Sequence, residues 1–313
     1  MTQKLKKILI IAIPVAVVVL AAVILTVILL GGGDESYRTI QVYRVDGNAE
    51  VARPTGDTIA PYESMLLEAD DVVKTFEESH LYLVMDEDKY LMAGPEAKFK
   101  LSATGNAANS QTRIDLEYGE IVVHVTDPLS ADSSFEIGTG NSTMAVRGTS
   151  FRVYTEKNDD GFYQTVLQVF EGVVAVQLIH PDGTVSEERS FSAGASVVIA
   201  QNTSETYFDE VFSDIDYFAL DVETLEFLKV GIQEGKDVGV SEEEIDDIIE
   251  NKQKFLTVTF VYRDKTFATQ RVPYGELAAE PMLTPSEEGQ WDFDFTKSIT
   301  EDTTISWKTE TPK

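Results

Sequence analysis

No cysteine occurs among the 313 residues, which excludes a disulfide scaffold, a thiolate zinc site and a cysteine nucleophile. Histidine is nearly as scarce. His80, His124 and His180 fall in different β-runs, with no H-x-x-x-H or H-x-H pair to hold zinc. His124 sits between apolar neighbours and reads as an outward-facing or satisfied core histidine. The common catalytic motifs are also missing: there is no G-x-S-x-G elbow, Walker motif, dinucleotide fingerprint or H-E-x-x-H. Positive charge is the third shortage. Lys and Arg number 25 against 54 Asp and Glu, for a net charge of −29, a field that disfavours nucleic acid and anionic lipid as partners. Among the many carboxylates no spacing singles out a catalytic pair. Asp86–Asp88 and Asp159–Gly161 lack the rhythm of a calcium loop and read as solvated turns. The expectation is a protein that is not an enzyme and has no catalytic residues, metal or cofactor.

What is present begins with an address. Lys4, Lys6 and Lys7 precede Ile8–Leu30, a run interrupted only by Pro14 and Thr26. At about 1.5 Å per residue such a helix crosses a ~30 Å hydrocarbon core, and it exceeds a signal-peptide apolar region. Neither an A-x-A site nor a lipobox cysteine follows. The expectation is an uncleaved signal anchor embedded in the bilayer through residues 8–30. With the lysines before the span and all the acidic residues after it, residues 1–7 are placed in the cytoplasm and the bulk of the chain outside.

Beyond a 31–36 linker, short β-runs broken by Gly, Asp, Asn and Pro continue to about residue 200, the pattern of an all-β sandwich, jelly roll or β-solenoid. Tyr37–Val45 and Ala49–Ala52 read as a hairpin turned by Asp46-Gly47-Asn48. The central stretch is Phe135–Val153, FEIGTGNSTMAVRGTSFRV. Its apolar positions Val146, Phe151 and Val153 do not share one parity, so a residue must be absorbed between them. Gly148 is the expected β-bulge. Arg147 beside it reads as closing an ion pair or capping strand carbonyls, or else as an anchor for a carboxylate, glycan or partner strand. Thr149 reads as bonding to backbone.

This Val146–Val153 pattern resembles the core signature of the FecR domain. Other segments match the family in order: Leu67–Thr75, with Asp70 where glycine is usual; Ser79–Leu91, with Asp88 where glycine is common; Leu116–Val123 around Gly119; Val169–Val176 around Gly172; and Phe191–Gly194. Arg147, Gly148, Thr149, Phe151, Gly119 and Gly172 are thus the structural signature. The resemblance implies an extracytoplasmic sensing or binding module. In the founding type a cytoplasmic N-terminal domain controls a sigma factor. Seven cytoplasmic residues leave no room for it here, so the expected role is a subunit acting through a membrane or cell-envelope protein.

Two segments remain. Val222–Ile232 has helical apolar spacing, and Ser241–Glu244 opens a second helix with a capping box, so residues 206–254 read as a helical connector following a 37–205 β-domain. Residues 255–313 return to alternation. VTFVY, TQRVPYGELAAEP, EGQWDFDF and ITEDTTISWK resemble the internalin-type B-repeat, a small β-grasp-like surface module. Trp291, Phe293 and Phe295 are the candidates for a ligand surface there. They carry the alternative function, contact with cell-wall glycan, and core packing accounts for them as well.

Overall fold

The computed structural model describes residues 39–309 apart from 107–108, 147, 282–284 and 286–287. The membrane span expected at 8–30 and the signature residue Arg147 therefore lie outside the described residues. No helix among the described residues is long and apolar enough to cross a membrane.

In chain order the strands are β1 (Ile40–Asp46), β2 (Ala49–Ala52), β3 (Thr58–Ile59), β4 (Val72–Thr75), β5 (His80–Met85), β6 (Lys89–Ala93), β7 (Lys98–Thr104) and β8 (Gln111–Val125). There follow β9 (Ser134–Gly138), β10 (Ser142–Val146), β11 (Ser150–Lys157), β12 (Tyr163–Glu171), β13 (Val173–Leu178), β14 (Arg189–Ser192), β15 (Ser196–Gln201) and β16 (Thr206–Phe212). They form one sixteen-stranded open sheet folded over on itself along β8. The first half of β8, residues 111–118, pairs with β7 and β9, and the second half, 119–125, pairs with β6 and β11. The front layer runs β1-β5-β6-β8-β11-β12-β15-β16 and the back layer β3-β2-β4-β7-β8-β9-β10-β13-β14. Alternation explains the core between them. Leu81, Leu83, Ile121, Val123, Phe151, Val153, Leu167 and Val169 point inward from the front, against Phe99, Leu101, Ile114, Phe135, Ile137, Met144 and Val174 from the back. Each such side chain contributes roughly 1.5–3 kcal/mol on burial.

The chain changes layer repeatedly, and this corrects two sequence expectations. β1 pairs with β5 while β2 pairs with β3 and β4, so Asp46–Asn48 is a crossing between layers and not a hairpin turn. Likewise Gly148 is no bulge inside one strand. β10 belongs to the back layer and β11 to the front, and Gly148 at φ +69° lies in the crossing between them. The parity break arises because Val146 and Phe151 face the same core from opposite sides. The register shift nearby lies between Ser150 and Phe151 where they pair with β12.

The helices are α1 (Val222–Gln233) and α2 (Glu242–Lys252), the latter opened by the capping box of Ser241 and Glu244. Leu225, Phe227, Leu228 and Ile245 bury against Tyr82, Met92, Val122 and Phe170 on the outer face of the front layer, making a third layer. Residues 206–212 belong to the sheet as β16 rather than to a connector. The C-terminal strands are β17 (Phe255–Tyr262), β18 (Lys265–Pro273), β19 (Gly289–Trp291) and β20 (Thr303–Thr309), in the order β18-β17-β20-β19 with β17 and β20 parallel.

Candidate functional site

Among the described residues, the signature positions Gly119, Gly148, Thr149, Phe151 and Gly172 line none of the clefts named below. Gly119 (φ +88°) is the corner within β8, and Gly172 (φ +80°) is the corner from β12 to β13. Both are closed to a side chain. A Cβ on Gly119 would lie 2.4 Å from Ala97 Cα, and one on Gly172 would lie 2.7 Å from the Gly148 carbonyl oxygen. Two corners therefore pack backbone to backbone, which only glycine in the left-handed region permits. Phe151 is fully buried in the main core. Thr149 is buried too, and its hydroxyl has no hydrogen-bond partner, backbone or side chain, among the described residues. Asp70, in a position where the family has glycine, takes φ +69°, a conformation Asp tolerates better than most residues. In the β5–β6 turn the left-handed residues are Asp86 and Glu87, not Asp88.

Trp291 stands in the core of the C-terminal module at 5% exposure. Its ring is 5.1 Å from Phe260 and 5.0 Å from Trp307. Phe293 and Phe295 are half-buried against the same cluster. The three residues are brought together as packing rather than as a row of open ring faces.

The outer face of the front layer is more elaborate. His124 is 1% exposed and stacks on Phe227 at 4.6 Å. Its Nε2 lies 3.0 Å from the Phe227 carbonyl, which can only accept, so Nε2 carries the proton and donates. Nδ1 then accepts from the Ser150 hydroxyl at 2.9 Å. Gly231 opens α1 to the ring, since a Cβ there would lie 2.9 Å from the imidazole. Burial lowers the His124 pKa to about 4. Beside it Glu120 accepts from Thr224 Oγ1 at 3.0 Å and from Arg152, whose other guanidinium nitrogen donates to Gln168 at 3.1 Å. These groups fasten the helices to the sheet, and of their buried side-chain polar atoms only Arg152 Nε has no partner among the described residues. Among the described residues no cluster of His, Asp or Glu is arranged to hold a metal ion.

Among the described residues several strands pair on one side only: β14, which carries Arg189, β18, which carries Lys265, Arg271 and Pro273, the three-residue β19, and β16. In the back layer β3 is two residues long. In the front layer the outer side of β1 is occupied by backbone bonds to Ser64, Met65 and Leu67. β16 pairs with β15 on one side only. Tyr207, Val211 and Phe212 on it are 37%, 45% and 51% exposed, interleaved with Asp209 and Glu210. At its end is a cleft of about 740 Å³ lined by Phe212, Asp214, Asp216, Tyr217 and Phe218. No Lys or Arg occurs between Arg189 and Lys229. Lysine and proline are the usual guards of an exposed edge, and β16 has neither; its one irregularity is the register shift opposite Val198 and Ile199. Residues 206–212 carry aromatics and carboxylates without a single basic residue, a pattern that the expectation of a helical connector over 206–254 does not explain.

Comparison with known proteins agrees with the domain assignment. The family model described as FecR protein matches residues 71–175, from the start of β4 into β13. The chain thus carries a FecR domain over that segment. Two crystal structures from Parabacteroides distasonis, both described as a "putative anti-sigma factor", are similar to it. One has 14% identity and a TM-score of 0.35, over 44% of this chain and 59% of that one. The other has 10% identity and a TM-score of 0.38, over 77% and 99%. At these scores neither likeness carries weight for fold or function. No curated protein matches the chain.

Proposed function

We propose that this is a membrane-anchored, outward-facing binding or sensing protein that works through a protein partner and has no catalytic chemistry of its own. The FecR domain supports the signalling or sensing role. The apolar run at 8–30 behind three lysines supports the anchor and the topology. The observation that carries the partner is the uncovered β16 edge. An extended segment added there gains main-chain hydrogen bonds, and alternate side chains give it selectivity. Exposed aromatics among Asp209, Glu210, Asp214 and Asp216 suit a segment that alternates apolar residues with Lys or Arg. A second copy of this chain suits it poorly, because like charges would face each other across the pair.

The test places a photo-crosslinking residue at Tyr207 or Val211 in the full-length membrane-bound chain, with a control at exposed Val185. A single envelope protein captured at both β16 positions and not at Val185 supports the reading. Capture no higher than at Val185, or adducts only between copies of the chain, overturns it.

A further inference from the structure

At the opposite edge of the front layer, β1 and β5 meet α1 in a cleft of about 380 Å³. Three rings line it. Tyr43 and Tyr82 have centroids 5.6 Å apart, and Tyr82 and Phe227 have centroids 6.1 Å apart. Val222 and Val230 complete the apolar wall, and Glu223 and Glu226 stand on the rim from α1. One cation already uses it. The Arg44 guanidinium lies 4.7 Å from the Tyr82 centroid while pairing with Asp46. The cleft volume is what remains with Arg44 in place, and that side chain is 54% exposed, so little packing opposes its leaving.

The electrostatics select the ligand. Aromatic faces are negative, and a cation over them is attracted by about 0.5–2 kcal/mol, more as water is excluded. The rim adds two carboxylates, although Glu226 shares its charge with Lys229 at 3.6 Å. An anion would meet rings and carboxylates of its own sign. A metal ion would find few oxygens converging and much hydrocarbon. We propose that this cleft binds a small organic ammonium ion, with Arg44 as a resident occupant that the ligand displaces.

Calorimetric titration of the full-length chain in non-ionic detergent, with choline and its neutral isostere 3,3-dimethylbutan-1-ol, tests this. Choline binds saturably and the alcohol does not. Removing the resident cation in Arg44→Gln tightens choline on the order of tenfold, and Glu223→Gln with Glu226→Gln weakens it on the order of tenfold, the span expected of a cation–π contact and its neighbouring charge. All these positions are at the surface, so unchanged thermal melts establish that the variants fold. Absence of saturable binding to the Arg44→Gln chain, or equal binding of alcohol and choline, overturns the site. Equal affinity of wild type and Arg44→Gln overturns the displacement. The cleft and β16 lie on opposite edges of the layer, so either reading can fail without the other.

Discussion

The front layer has two faces made by the same strands, and they are built on different principles. Its inner face is mostly hydrocarbon: Ile121, Val123, Phe151, Val153, Leu167 and Val169 meet the apolar side chains of the back layer, and only toward one end do the buried Thr155 and Thr165 bond to each other and to Asn141. One residue along each strand, the outer face mixes Met92, Val122 and Phe170 with Glu120, His124, Arg152 and Gln168. The inner face is held chiefly by buried apolar area. The outer face is held by directed bonds to Thr224 and to the Phe227 carbonyl, so it specifies where the helices sit. Apolar burial supplies the bulk of the stability, and polar groups supply register, each costly if left half-made.

The largest effects should come from the corners that bring the two layers together. Gly119→Val and Gly172→Val add a side chain into backbone at 2.4 and 2.7 Å in the left-handed region, and each should lose about 3 kcal/mol or more in urea unfolding. Gly148→Val meets its nearest atom, the Pro128 Cα, at 3.3 Å, a tight contact but no overlap, and should lose less, about 1–2 kcal/mol, mostly as backbone strain. Equal losses at all three positions would break the account of the corners.

On the outer face, Arg152→Met strands a Glu120 carboxylate that is 7% exposed and keeps only its Thr224 bond, at a cost of about 3 kcal/mol. Adding Glu120→Gln should restore at least half of that. If the double variant is no better than the single one, the pair does not set the seam between sheet and helices.

A comparable effect follows from pH. His124 has its pKa lowered to about 4 by burial, so the unfolded chain takes up the proton first as the pH falls. Above the unfolded value near 6.5 both states are neutral and nothing is lost. Between about 6.5 and about 4 the difference grows to about 3 kcal/mol. Denaturation midpoints measured against pH, with His124→Phe as the reference, should show this slope in wild type only. The same slope in the variant would assign it to carboxylates instead.

The smallest effect on stability should be at the open edge. Val211→Lys should change unfolding by less than about 0.5 kcal/mol while abolishing partner capture through β16. A large stability loss would mean that Val211 packs within the fold.

Much of this was legible in residues. Alternation announced the strands, the capping box at Ser241 and Glu244 opened α2 as expected, and the glycines singled out at 119, 148 and 172 all have positive φ. Gly148 was read as a bulge because a sequence shows that parity breaks there but not that the chain changes layers. His124 could be read only as outward-facing or satisfied, since its acceptor lies on Phe227, 103 residues away. The β16 strand was hidden because an edge pairs on one side only and keeps its exposed side chains, which weakens the burial pattern that marks a strand.

What the sequence by itself determined is local: which residues alternate, where φ must turn positive, where a helix opens, and the sign of the protein's field. Those follow from sterics, capping and composition, which act over a few residues. Tertiary structure alone decided which strands share a layer, that β16 is left open, that Trp291 packs inside its module, and that Tyr43, Tyr82 and Phe227 enclose one cleft. Those depend on pairings between residues far apart in the chain, where closing long loops is repaid only by the contacts made on arrival.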